Sequence, residues 1–452
     1  MLTAKIHNDF YSEYFGNVKS DLPGAKLQWL ARARTEAIER FLECGYPTVN
    51  VEEWKHTNLL KQGDFFPVMG GPSVNEVRER DIEDLLLDSI PSHRMVFVNG
   101  FFCQRLSDVG ALPAGLRLTT AGEMLVEQPE LLEEHWSQPW GFLEHRLSGL
   151  KDPKPHSMVA LNMALSPGGP VIYVGRDVSP ELPIHVVHVV VSGASGVMSQ
   201  PRTLLVAGEG SGVVFLESYI GGGLQPHMVN ALTQVRVMKG ATVRHYKHQG
   251  EGSNGFHLAT NLVRLDSEST YGGCVLSNGG GISRNEARVR LEGQRGDCTL
   301  DGIYLGRGQQ HMDNWTGVDH VAPYGETREM YKGVLDEKAE GAFQGKIRIW
   351  PEAIASAAQQ LNKNLLLSDD ARVFSKPELE ILNDDVKCGH GSTIGDLDQE
   401  CLFYLRSRGI DELVARKLLV EAFVGEVIDR SPDVPIREHF RKLFYQWFSQ
   451  VS

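Results

Sequence analysis

No run of about 18 apolar residues occurs anywhere in the 452-residue chain, which excludes a membrane-spanning helix. The opening Met1-Leu-Thr-Ala-Lys-Ile-His-Asn-Asp-Phe10 lacks the apolar stretch of a signal peptide. Acidic residues soon follow, against an Arg-rich transit peptide, and a cytoplasmic location is expected. Cysteine is scarce. Cys44, Cys103, Cys274, Cys298, Cys388 and Cys401 are scattered, with no Cys-x-x-Cys pair, so reduced thiols are expected and no structural zinc site. Basic side chains (45) are outnumbered by acidic ones (58), for a formal net charge of −13. An acidic surface without a dense basic run repels phosphate backbones and anionic lipid, so neither nucleic acid nor membrane is expected as a partner. Phosphate loops are missing too: neither Gly221-Gly-Gly223 nor Gly279-Gly-Gly281 is followed by Lys-Ser/Thr and a helix. No Gly-x-Ser-x-Gly elbow occurs. The chain carries no recognisable catalytic machinery of its own.

What is present is an ordinary globular composition, 41% hydrophobic and 23% charged, in a length that suits two or three structural units. The first 45 or so residues read as helix, with Leu27, Leu30, Ala31, Ala37, Ile38 and Phe41 at helical spacing and a stop at Cys44-Gly45-Tyr46-Pro47. Shorter pieces follow at Ile82 to Leu87 and Met95 to Val98, then a helical segment from Glu130 to Leu147. The Pro-rich Lys151-Asp-Pro-Lys-Pro-His156 suggests a boundary, giving an N-terminal helical and mixed region over 1–155. Most of the chain's 47 glycines fall between Gly168 and Lys346, among short β-rich runs such as Val171 to Val174, Ile184 to Val191, Val213 to Ile220, Ala231 to Val237, Leu258 to Leu265 and Cys298 to Leu305. Such spacing suits a sandwich, a barrel or a solenoid, and Gly-rich corners lean modestly toward a parallel β-solenoid. This β core is placed at 156–385. After Pro377 the chain turns helical again in a region placed at 386–452. Helices are expected at Asp398 to Ser407, stopped by Arg408-Gly409; at Glu412 to Asp429, capped by Asp411; and from about Pro435 to Ser449.

Two constellations could carry chemistry. In Asp384-Asp-Val-Lys-Cys388-Gly-His390-Gly-Ser-Thr-Ile-Gly395 a thiol and an imidazole stand two residues apart, and extended geometry places both on one face. They could reach one soft or borderline metal, yet two donors leave a site incomplete, and on the residues alone a buried thiol beside a turn histidine is the favoured reading of the pair. The alternative is a cupin-like metal set of His311, Asp313, His320 and Glu326, which would make the chain a metal-dependent β-rich enzyme. His185 and His188, like His245 and His248, point to opposite faces of a strand and read as surface or satisfied core residues.

The long motifs decide more than the pairs do. Lys376-Pro-Glu-Leu-Glu-Ile381, the Asp384–Gly395 segment, Leu402-Phe-Tyr-Leu-Arg-Ser-Arg-Gly-Ile410 and, far upstream, Glu52-Glu-Trp-Lys-His-Thr-Asn58 together resemble the SufB/SufD family of iron–sulfur cluster assembly scaffolds. The His390-Gly-Ser-Thr-Ile-Gly395 version is similar to its SufD branch; Gly389 departs from it, where serine is expected. The resemblance implies a mainly β fold with flanking α, a right-handed parallel β-helix core between N- and C-terminal helical regions. It further implies a non-catalytic scaffold that pairs with a SufB-type paralogue through the β-helix cores, docks a SufC-type ABC ATPase through its C-terminal helices, and can form a homodimer when isolated. No cofactor is held permanently. A transient iron–sulfur cluster or iron would form at the interface with the SufB-type chain, and the matching positions here are His390 and Cys388.

Overall fold

The computed structural model describes residues 2–59, 68–71, 77–82, 91–136, 154–191, 196–221, 223 and 226–450. Successive strands alternate between two sheets. One holds Arg202–Ala207, His227–Val237, Gly255–Leu265, Ile282–Leu291, His311–His320, Glu340–Ile349 and Arg372–Ile381; the other holds Gly212–Gly221, Thr242–Glu251, Thr270–Ser277, Asp297–Gly306, Glu326–Leu335, Ser356–Leu366 and Val386–Gly395. Each strand pairs in parallel with those one coil below and above, as His311 with Ile282 and Glu340. Paired residues lie roughly 30 positions apart, a solenoid repeat. The sandwich and the barrel are thereby excluded, and the core is a parallel β-helix.

At its near end the stack is closed off. His93–Val98 adds in parallel to Ile184–Val190 and then turns back antiparallel into Phe101–Phe102, while Leu116–Thr120 runs antiparallel to Pro170–Val174. At its far end the coils continue to Gly395, past the boundary expected at 385, and stop on two strands with no further neighbour among the described residues.

The corners repeat one backbone device. Asp177, Gly210, Gly240, Glu268, Arg295, Tyr324 and Ala355 all have positive φ (54–68°), one per coil. Each donates its N–H to a carbonyl on the next coil, as Arg295 does to Pro323 O and Tyr324 to Ile354 O, at 2.8–3.1 Å. Corner amides that a lone turn would leave to water therefore join the stack.

Three apolar layers hold the molecule together. Val235, Val263, Val289, Ile347, Phe215, Tyr271 and Leu300 fill the space between the sheets. Against the outer face of the first sheet pack Tyr11, Phe41 and the buried helix Ser157–Leu165. The N-terminal helix expected over the first 45 residues is two helices, Leu2–Val18 and Gln28–Cys44, the second burying Leu30, Ala37, Ile38 and Phe41 as its spacing requires. Against the second sheet pack Glu412–Ile428 and Val434–Phe448 through Val420, Val424, Phe440, Leu443 and Trp447. Polar ties reinforce that face: Lys332 donates to Phe423 O and pairs with Glu426, Arg430 pairs with Asp301, and Arg244 and Tyr246 both reach Asp433. Of the helix expected from Glu130 to Leu147, the part from Pro129 to Trp136 forms; residues 137–147, with 83–87 and 151–153, lie outside the described residues.

The interior also holds ionisable groups that the alternation of strands did not announce. Glu217 accepts from His245 Nε2 (2.9 Å), Thr203, Thr233 and Tyr219, all within the solenoid. Burial opposes its ionisation, but its contact with His245 outweighs that and holds the carboxyl down to about 2. The histidines expected on the surface or satisfied in the core are all buried, and burial pushes His156 and His185 down to about 3 and His188, His248 and His320 to about 4. Unfolded imidazoles bind protons near 6.5 and these folded ones do not until about 4, so the unfolded state gains protons first as pH falls. Stability is therefore expected to be lost from pH 6.5 downward, with Glu217 adding to the loss below its ordinary range near 4.5. Thermal unfolding between pH 8 and 4 checks this; a Tm that stayed flat to pH 5 would refute it.

Candidate functional site

Cys388 and His390 lie on the last strand, Val386–Gly395, rather than on a connection to the helices. Among the described residues the strand occupies the outermost position of the second sheet and pairs only with Ser356–Leu366, leaving its outer edge open. Alternation sets the side chains. Cys388 is in register with Ala358 and His390 with Gln360, both buried between the sheets, so Cys388 and His390 share the inward face at the mouth of the solenoid.

The two differ in environment. His390 is exposed, while Cys388 is half-buried against the apolar interior. Burial pushes the Cys388 thiol up, against a smaller opposing contribution from the Ala358 backbone, which keeps it protonated. Gly389 has open space where a Cβ would stand and is held in the ladder opposite Gln359. A serine would fit there.

Beneath the mouth the interior is polar. Gln360 donates from Nε2 to Glu329 Oε2 (2.6 Å), which also accepts from Thr316 (3.0 Å). Burial pushes the Glu329 carboxyl up to about 7, over the opposing hydrogen bonds of Gln360 and Thr316. Ser392, on the last strand, shares a hydrogen bond of 2.7 Å with Ser375 on the last strand of the other sheet, and Ser375 donates to Asn362 (2.7 Å). That clasp ties the final coil across its opening.

The upstream motif arrives at the same end. Glu52 pairs with Lys376 at 2.6 Å across 324 residues of sequence, and the His56 ring stacks on Phe374 at 4.3 Å. Trp54 lies under the Arg284 guanidinium at 4.2 Å, and Thr57 donates to Asp313, which also binds Arg284. The Glu52–Asn58 element thus braces the outer face of the terminal coils.

The cupin-like set does not assemble. His311 and Asp313 face outward around Thr57, His320 faces inward to Thr327, and Glu326 is exposed beside Arg328 on the other sheet. His311 and His320 begin and end one ten-residue strand, roughly 30 Å apart. Among the described residues no three His, Cys, Asp or Glu side chains converge on a metal-sized site. Cys388 and His390 offer two donor atoms, and among the described residues no third His, Cys, Asp or Glu converges with them.

Comparison with known proteins gives the family. Residues 189–423 match the model described as SUF system FeS cluster assembly, SufBD core domain, and residues 5–186 match the SufBD protein N-terminal region. The chain belongs to the SufBD family. It is 29% identical to an iron–sulfur cluster assembly SufBD family protein of Synechocystis sp. over 98% of this chain and 96% of that one. It is 27% identical to the iron–sulfur cluster assembly protein SufD of Escherichia coli (89% of both chains) and to SufD of Bacillus subtilis (89% and 90%). As a SufBD protein the chain is a subunit of SUF iron–sulfur cluster assembly. The β-helix and its flanking helices are the SufBD architecture that the motifs implied. No helix among the described residues is long and apolar enough to cross a membrane.

Sequence reading missed Gln360, Glu329 and Ser375. Polar residues inside a solenoid leave no apolar alternation to find; only the register between coils puts Glu329 and Gln360 under His390, and Ser375 meets Ser392 from the other sheet.

Proposed function

We propose that this chain is the non-catalytic, SufD-type half of a cluster-building scaffold, with His390 contributing to iron or nascent cluster at an interface with a SufB-type paralogue. The supporting observation is the asymmetry of the solenoid. Its near end is closed by antiparallel strands, whereas its far end, among the described residues, leaves two parallel edges open beside His390. Open edges present unpaired backbone groups that a second chain can satisfy. Around them Phe374, Ile381, Leu382 and Ile394 are 42–52% exposed. A paralogue seated there would bring the ligands that Cys388 and His390 lack, and without it the same edges suit a second copy of this chain. The cluster is the cargo of this site, not a resident group.

A second surface suits a second partner. The apolar face of Glu412–Ile428 divides: Val420, Val424, Val427 and Ile428 are buried on the sheet, while Leu413, Val414 and Leu418 remain 43–53% exposed. On the neighbouring helix Gln399–Ser407, Phe403 (75%) and Tyr404 (57%) line, with Leu419, a groove of about 820 Å³. Exposed apolar side chains gathered on two packed helices suit a docking site, and we assign this surface to the SufC-type ATPase. Co-expression with a SufB-type chain and the ATPase tests both surfaces. Phe403→Glu with Leu418→Glu is expected to lower ATPase recovery at least ~10-fold, since two charges enter an apolar contact, while the paralogue is retained. Undiminished recovery of the ATPase would remove that assignment.

A further inference from the structure

His390 sits above two buried side chains that no motif announced. His390, Gln360 and Glu329 occupy one register position on three successive strands of the second sheet and share the inward face. Such neighbours are about 4.8 Å apart. Gln360 and Glu329 are both nearly inaccessible to solvent. The chemistry of the contact fixes the glutamine's orientation. When Glu329 is ionised, only the glutamine's NH2 can donate to it, and that bond, at 2.6 Å, leaves the carbonyl Oε1 for another donor. Among the described residues Gln360 Oε1 is buried without a partner. A buried acceptor without a donor is costly, so a donor is expected. The residue in register on the exposed side is His390, whose ring carries an N–H.

We propose that Gln360 is the positioning residue of the His390 site. Its Oε1 accepts one imidazole N–H of His390, selecting a single tautomer and turning the other ring nitrogen, lone pair free, toward the open edge. Glu329 acts one step further back by holding the amide in that orientation. Histidines that bind metals commonly donate their second ring nitrogen to a carbonyl, which fixes tautomer and direction. This inference rests on the reading that His390 meets iron, but the hydrogen bond, which a turn of the His390 side chain must close because Gln360 Oε1 has no partner in this structure, lies wholly within one chain.

The test separates the two. In the full chain labelled with ¹⁵N-histidine, the His390 signals are identified by their loss in His390→Gln. They are expected to report one dominant tautomer. Gln360→Met, similar in shape without an acceptor, is expected to shift both ring nitrogens toward the mixed tautomers of a free imidazole. Glu329→Gln should shift them the same way, because its NH2 can turn the Gln360 amide around; it serves if Gln360→Met fails to fold. In the complex with the SufB-type chain and the ATPase, the folded variant is expected to form cluster ~10-fold less well. Unchanged His390 signals in a folded variant would overturn the proposal, as would altered signals with undiminished cluster yield. If His390→Ala itself left cluster yield unchanged, the reading of the site would fall, while the tautomer result would still decide the hydrogen bond.

Discussion

Replacing His390 by alanine is expected to reduce cluster formation by the assembled complex by more than ~10-fold while leaving the chain folded. Removing a ligand should cost at least as much as removing its supporting partner, which typically costs 10–100-fold. The fold should tolerate the change because the side chain is exposed on an edge strand; surface substitutions of this kind usually fall within about 0.5 kcal/mol. Cys388→Ala is the informative comparison. Its thiol is half-buried in the apolar interior and held protonated, so its loss should cost about 1 kcal/mol of packing and little cluster yield. Cluster yield is read from absorbance of the reconstituted complex, and stability from thermal unfolding of the chain alone. Equal loss of yield in both variants would make Cys388 a ligand as well. Full yield in His390→Ala would end the proposed role of the site.

The second large effect concerns the brace rather than the site. Asp313→Ala is expected to destabilise the chain by about 3–5 kcal/mol, because it leaves the Arg284 guanidinium buried with a weakened partnership. Arg284 is 1% exposed; without Asp313 it keeps Glu286 at 3.4 Å and the Trp54 ring. Thr57 loses its carboxylate acceptor in the same step. Glu52→Ala removes only an exposed ion pair with Lys376, so its expected cost is under about 1 kcal/mol. Urea unfolding of the two variants checks the contrast. A loss below about 1 kcal/mol for Asp313→Ala would mean that the Glu52–Asn58 element is not held as described.

The parts of this fold that were legible in the sequence were those whose causes are local. Leu30, Ala37, Ile38 and Phe41 form a buried helical stripe, and Asp411 caps the helix that begins at Glu412 through the Leu413 N–H. Gly409, at φ +85°, follows the helix that ends at Ser407. The placement of Cys388 and His390 on one face needed only the alternation of an extended strand.

What was not legible depends on partners distant in sequence. His311–His320, Glu326–Leu335 and Val386–Gly395 did not read as strands, because the residues they turn inward include Glu329, His390 and Ser392. Glu329 accepts from Gln360 and Thr316, and Ser392 donates to Ser375, all on other strands, so each strand looks polar on both faces when read alone. Glu52 and Lys376 illustrate the same limit: each motif is recognisable, but nothing in either says that they touch. The family resemblance supplied the solenoid where the pattern of strands left a sandwich open.

The central claim is that the open end of the solenoid and the C-terminal helices are two separate docking surfaces of a scaffold. Its most direct test is size-exclusion chromatography with light scattering on the chain co-expressed with a SufB-type paralogue and a SufC-type ATPase. The account predicts one stable species holding this chain, the paralogue and two copies of the ATPase. A chain that elutes by itself, binding neither partner, would contradict it.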